Sequence, residues 1–175
     1  MALAEKASSN SSLKRFTYIL AGDGDLQEPI ALGASTLAGH WKLSNLIMFY
    51  DKNDIQIAGN TSRVDSTDYA KLYDAMGWHV QEIDGHNHDE IRLSLKNAQS
   101  NDKPSIIIGK TIIAKGSYSL EHSPKSHGSP FSEDEIKLTK EKLGIPQDSF
   151  FCNEDIIGHF QRNFDSLNDR IASID

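Results

Sequence analysis

Four short, nearly unbroken apolar runs alternate with stretches of helical period, and this alternation leaves few folds open. The runs are Phe16 to Leu20, Leu46 to Tyr50, His79 to Ile83 and Ser105 to Ile113. Continuous apolar character suits strands buried on both faces, and the intervening segments are long enough to cross over and start a parallel neighbour. The expectation is an α/β chain, a parallel sheet flanked by helices.

The helices show themselves by period and by caps. Ile30, Ala34, Leu37, Ala38 and Trp41 recur at helical spacing behind Glu28 and Pro29, which suit a first turn. Tyr69, Leu72, Tyr73 and Met76 form a packing stripe, with Thr67 or Asp68 as cap and Gly77 as stop. Asn87 with Glu90, and Ser132 with Glu135, stand at capping-box spacing, the second followed by late lysines and Gly144. Ile157, Phe160, Phe164, Leu167 and Ile171 make a last apolar stripe that calls for a docking surface.

With 175 residues the chain suits one domain with appendages: a polar flexible tail over 1–12 with order from about Leu13, the α/β domain over 13–150, and a C-terminal helix over 151–175. The net charge of −7, with no basic run, disfavours nucleic acid and anionic membranes and favours a small ligand. Leu46 to Tyr50, the longest apolar run, has five residues against the roughly 18 of a membrane helix. One cysteine, Cys152, forms no internal disulfide and reads as a packed thiol, which agrees with a cytoplasmic setting.

Ligands of an open parallel sheet bind beyond the carboxyl ends of its strands, where loops converge. Beyond the first strand stands Ala21-Gly22-Asp23-Gly24-Asp25; beyond the second, Asp51-Lys52-Asn53-Asp54-Ile55; beyond the third, Asp84-Gly85-His86; beyond the fourth, the irregular stretch Gly116 to Pro130. Two glycines around a carboxylate let a phosphate approach the backbone and offer one hard oxygen, and Asn53 on a neighbouring tip offers another. Asp23, the Asn53 amide oxygen and a carbonyl near Ile55 make a reasonable donor set for a hard divalent ion. His86-Asn87-His88-Asp89 suggests a metal cluster, but His88 and Asp89 fall in a helix's first turn and read as solvated.

Gly22-Asp23-Gly24 through Asn53 resembles the thiamine diphosphate signature, and the surrounding text resembles transketolase. Leu37-Ala38-Gly39-His40, Gly77-Trp78-His79-Val80, Asp84-Gly85-His86, Asp102-Lys103-Pro104-Ser105, Lys110-Thr111-Ile112-Ile113, Gly116-Ser117 and Ser126-His127-Gly128 follow in the same order, over roughly Phe16 to Gly144. The resemblance implies a partial thiamine-diphosphate-binding fold in which Asp23, Asn53 and the Ile55 carbonyl hold Mg²⁺ or Ca²⁺. Gly22 and Gly24 would line the diphosphate, His127 would lie near the donor sugar, and Glu28 would belong to an acidic cluster at a homodimer interface. The reaction implied is transfer of a two-carbon ketol unit between sugar phosphates, with the thiazolium carbon as nucleophile and electron sink.

Asp25, Pro29 and Gly33 depart from the usual family text. Asp25 brings negative charge towards the diphosphate, and Gly33 puts a poor helix former where an acid is common. Transketolases are several times longer, and the acid that activates the aminopyrimidine lies in a part not matched here, so this chain alone is expected to be inactive. The strands it lacks should also leave an apolar edge or face open. A non-catalytic module that keeps the fold is the alternative reading. A synthase of the deoxyxylulose phosphate type is another, opposed by Gly77-Trp78-His79-Val80 and Ser126-His127-Gly128.

Overall fold

The computed structural model describes residues 1–8, 15–57 and 59–172. It divides into two compact units, residues 1–115 with 119–131, and residues 116–118 with 132–175. The second helix from the C-terminus therefore groups with the last one, which moves the boundary expected at 151 to 132.

In the first unit four parallel strands, β1 (Thr17–Gly22), β2 (Leu46–Lys52), β5 (His79–Asp84) and β6 (Ser105–Lys110), form one sheet in the order β1-β2-β6-β5. The short β3 (Ile55–Gln56) and β4 (Gly59–Asn60) form a separate antiparallel hairpin. Alternate side chains of the main sheet feed two cores. Ile19, Met48, Tyr50, Val80, Ile106 and Ile108 pack on one side with Leu26, Tyr73 and Trp78. Ile47, Phe49, Ile83 and Ile107 pack on the other with Leu95 and Ala98 of α5 (His88–Ser100). Burial on both faces explains the apolar text of the central strands β2 and β6, whereas the edge strands β1 and β5 each leave side chains exposed, which corrects the two-sided burial expected of all four. On the second side of edge strand β1 the Tyr18 hydroxyl accepts from Gln99, while among the described residues Leu20 stays 84% exposed, an apolar position left open at that edge.

The single helix expected after the first strand is two, α2 (Asp23–Gln27) and α3 (Pro29–His40). Proline disfavours helical geometry in the residue before it, and Glu28 accordingly sits at ψ 127°. The buried line of α3 is Ser35, Ala38 and Gly39, whereas Ile30 and Leu37 of the predicted stripe are exposed. Helix α4 (Tyr69–Ala75) starts on Asp68, whose carboxylate accepts from the Lys71 amide at 3.1 Å. Asn87 caps α5, but Glu90 does not complete a capping box: its carboxylate accepts from the Asp84 amide and the Asn87 side chain instead.

The tail expected over 1–12 is corrected where it is described, because Ala2–Ala7 forms helix α1. Lys6 Nζ donates to the carbonyls of Trp41 (2.6 Å) and Lys42 (2.9 Å), and Asn45 Nδ2 to that of Ala2 (3.0 Å). Leu13 lies outside the described residues.

In the second unit α6 (Glu133–Leu143) runs from the Ser132 cap to Gly144, which stops it at φ 66°. Lys142 Nζ donates to the Ser117 carbonyl (2.7 Å), and Thr139 Oγ1 accepts from the Tyr118 amide (3.0 Å). The stripe of α7 (Glu154–Ala172) stays exposed at Ile157, Phe160, Phe164 and Leu167; the Ile171 side chain lies outside those described. Cys152 is exposed, which corrects the packed thiol.

Candidate cation and diphosphate site

β1 ends at Gly22 and α2 begins at Asp23, so the strand-to-helix turn lifts the Asp23 carboxylate over the tip of neighbouring β2. That carboxylate is buried, with 4% of its residue surface exposed. Oδ1 accepts from the Tyr50 hydroxyl at 2.7 Å. Oδ2 accepts from the amides of Asn53 (3.2 Å) and Asp54 (3.0 Å), residues thirty and thirty-one positions further on. The two halves of the signature therefore meet at one point. Asp54 adopts a left-handed φ of 62°, which turns two successive amides towards the same oxygen.

Burial raises the Asp23 carboxyl above its ordinary value, against the lowering effect of the Tyr50 hydroxyl and the two amides. The Tyr50 hydroxyl is pushed far up, first by burial and then by donating to Asp23. The site thus holds a desolvated anion that neutral donors stabilise only in part.

The Asn53 amide oxygen accepts from the Ile55 amide at 3.0 Å within its own loop. A carboxylate offers about four lone-pair positions, of which the three hydrogen bonds to Asp23 use three, and an amide oxygen offers two, of which Asn53 uses one. Among the described residues one position stays available on each, and a buried negative charge with hard oxygen donors suits Mg²⁺ or Ca²⁺. A Cβ on Gly24 would meet nothing within 4 Å, so its backbone is open to an approaching phosphate. Among the described residues no cluster of three or more His, Cys, Asp or Glu side chains competes for a metal, and His88 and Asp89 lie exposed, Asp89 paired with Arg92 at 3.0 Å.

The other candidates are more scattered. Glu28 is exposed at the junction of α2 and α3. His127 is exposed behind the short turn Pro124–Ser126 and is absent from the lining of the large crevice at the tips of β2, β6 and β5, where His86 and His122 stand instead. Asp25 bends back, its carboxylate accepting from the Gly22 amide at 2.8 Å. Sequence reasoning missed Tyr50, the buried anchor of Asp23; the available signal was a polar tip at the end of an apolar strand.

No helix of the described residues is long and apolar enough to cross a membrane. The family model described as "Transketolase, thiamine diphosphate binding domain" matches residues 2–173. A transketolase of Sinorhizobium medicae is 41% identical over 160 residues, covering 89% of this chain and 23% of that protein. A chloroplastic transketolase of Zea mays is 38% identical over 173 residues, covering 93% and 26%. The structure of transketolase from Leishmania mexicana superposes with a TM-score of 0.85 at 34% identity, covering 89% of this chain and 24% of that one. The chain therefore spans about a quarter of the length of these relatives. With that match running through nearly every residue, the chain belongs to the transketolase family, in its thiamine-diphosphate-binding domain.

Proposed function

We propose that this chain supplies the cation- and diphosphate-binding part of a transketolase that moves a two-carbon ketol unit from a ketose phosphate to an aldose phosphate, as a cytosolic homodimer. The observation that carries the reading is the buried Asp23 carboxylate gripped by the Asn53 loop across two strand tips. Asp23, the Asn53 amide oxygen and the Ile55 carbonyl hold Mg²⁺ or Ca²⁺, and the cation offsets the charge that burial leaves exposed to a poor dielectric. Gly22 and Gly24 flank the diphosphate; the Gly24 backbone is open, and the Gly22 amide is held by the Asp25 carboxylate. Bound thiamine diphosphate supplies the nucleophilic carbon and electron sink of the reaction. His127 hydrogen-bonds a sugar hydroxyl and Glu28 faces a second subunit.

The groups that activate the cofactor lie in parts of the relatives this chain does not match, so the chain by itself binds and does not turn over. Calorimetry should show saturable thiamine diphosphate binding that requires Mg²⁺ and vanishes with a chelator, with no ketol transfer in the same sample. Magnesium-independent binding overturns the site assignment, and transfer at a normal transketolase rate overturns the inactivity.

A second reading, a relative that keeps the fold without catalysis, is favoured by Asp25, whose charge is folded into the turn beside the diphosphate position. On the first reading Asp25→Asn relieves a repulsion worth about 1 kcal/mol near a surface and tightens cofactor binding severalfold. Unchanged affinity in that titration removes Asp25 as an argument for lost function.

A further inference from the structure

The crevice at the tips of β2, β6 and β5 adjoins the Asn53 loop and measures about 970 Å³, with Asn53, Ile55, His86, Thr111, Ile112 and His122 on its wall. The ladder of β6 ends at Lys110, so the peptide groups beyond it need other partners. They find them on both sides. Towards β2, the Thr111 amide donates to the Lys52 carbonyl at 3.0 Å and its hydroxyl to Asp51 Oδ1. Towards β5, the Gly85 amide donates to the Lys110 carbonyl at 2.9 Å. Gly85 comes so close that a Cβ there would stand 2.5 Å from Thr111 Cγ2 and 3.1 Å from the Lys110 carbonyl oxygen. That approach sets the next side chain, His86, over the following peptide, and its Nε2 accepts from the Ile112 amide at 2.9 Å.

An imidazole nitrogen accepts only without a proton, so this bond fixes His86 with its proton on Nδ1. Ile112 adjoins Thr111, Thr111 grips Lys52, and Lys52 precedes the two amides that hold Asp23. We propose that His86 is a positioning residue for the Asn53–Ile55 loop, acting through the Thr111–Ile112 peptide. The proposal rests on the reading of that loop as the cation-binding one, and goes beyond it by giving a residue at the far edge of the sheet control over the loop's placement. The link is a contiguous run of hydrogen bonds between rigid strand ends, which gives the coupling a physical carrier.

The two ring nitrogens can be separated by substitution. In His86→Gln the amide oxygen reaches where Nε2 sits and keeps the acceptor for Ile112. In His86→Asn the side chain ends where Nδ1 sits and loses it. The first measurement uses the metal-free chain. His86→Asn should speed hydrogen exchange at the Ile112 amide at least tenfold and shift the amide resonances of Asn53 to Ile55, while His86→Gln leaves both within twofold or unshifted. With Mg²⁺ present, thiamine diphosphate affinity should fall about tenfold in His86→Asn and less than twofold in His86→Gln.

The proposal is overturned if His86 of the unaltered chain carries its proton on Nε2 by nitrogen-15 spectroscopy, or if His86→Asn lowers the melting temperature without moving the Asn53–Ile55 resonances. It is overturned equally if His86→Gln disturbs that loop as much as His86→Asn does. Should His86→Asn not fold, the tautomer and the His86→Gln variant decide. Should the unaltered chain bind no cofactor, the reading of the site fails, while the exchange and resonance data still judge the link.

Discussion

Asp23→Ala is expected to abolish cation binding and to destabilise the chain by about 3 kcal/mol, which lowers the melting temperature of a chain this size by roughly 6–12 °C. The substitution leaves the Tyr50 hydroxyl and the amides of Asn53 and Asp54 without their shared acceptor in a buried place, and each such orphan costs about 1–3 kcal/mol. Asp23→Asn separates the two losses. Its amide oxygen can face the two backbone amides while its NH₂ donates to Tyr50, whose hydroxyl turns round to accept. Stability should then stay within about 1 kcal/mol of the original, and binding of Mg²⁺ should still disappear because the charge is gone. A melting curve and a magnesium titration on both variants check this, and an Asp23→Asn chain that still binds Mg²⁺ normally removes Asp23 from the cation site.

The same carboxylate gives the expected pH dependence. Its folded value is raised, chiefly by burial, so the folded chain binds this proton more tightly than the unfolded one. Linkage then makes the contribution of Asp23 to stability fall as pH rises from its unfolded value, about 3.9, through its raised folded value. At neutral pH the ionised form is less favourable than the protonated one would be, and a divalent cation offsets that difference. Mg²⁺ should therefore raise the melting temperature more at pH 7 than at pH 4, and should do nothing for Asp23→Asn.

Much of this architecture was readable because the residues that build it carry hydrophobic signal. The two-sided burial of β2 and β6 shows as unbroken apolar text, and Asp68, Asn87 and Ser132 mark helix starts by their own hydrogen-bonding chemistry. The misses have physical reasons too. Helix α1 is too short to hold by propensity and depends on Lys6 and Asn45 contacts far along the chain, which no local pattern reports. The stripe from Ile30 behind Pro29 points to α3, but the five-residue α2 before it is too short to show an apolar period. At the site, spacing could pair Asp23 with Asn53, but the contact runs through the backbone amides of Asn53 and Asp54 and through Tyr50, and backbone donors leave no trace in side-chain identity. The apolar stripe of α7 was legible as a stripe, whereas its exposure at Phe160 and Phe164 is a matter of what else is present.

The buried line of α3 offers the sharpest contrast between what a sequence pattern weighs and what packing requires. Gly39 is nothing more than a poor helix former by propensity, yet a Cβ there would overlap the Met76 carbonyl oxygen, stand 3.0 Å from the Met76 carbonyl carbon and reach the Trp78 ring at 3.4 Å. That close approach lets Trp78 Nε1 donate to the Ser35 carbonyl at 2.9 Å, sets Ser35 against the Tyr73 hydroxyl at 3.1 Å, and keeps Tyr73 and Trp78 edge to face with centroids 5.1 Å apart. Backbone sits on both sides, so no side chain can swing away, and Gly39→Ala must push α3 off the turn after α4. The expected cost is about 3–4 kcal/mol, the upper end for overpacking, with a red shift of tryptophan emission as Trp78 loses its enclosure. Gly33, six positions earlier on the same helix, has nothing within 4 Å of its Cβ position and is exposed. There Gly33→Ala removes backbone freedom from the unfolded chain and should raise stability by about 0.5–1 kcal/mol. One substitution in one helix should thus change the melting temperature in opposite directions, and a Gly39→Ala chain as stable as the original would mean that α3 and the end of α4 do not meet backbone to backbone.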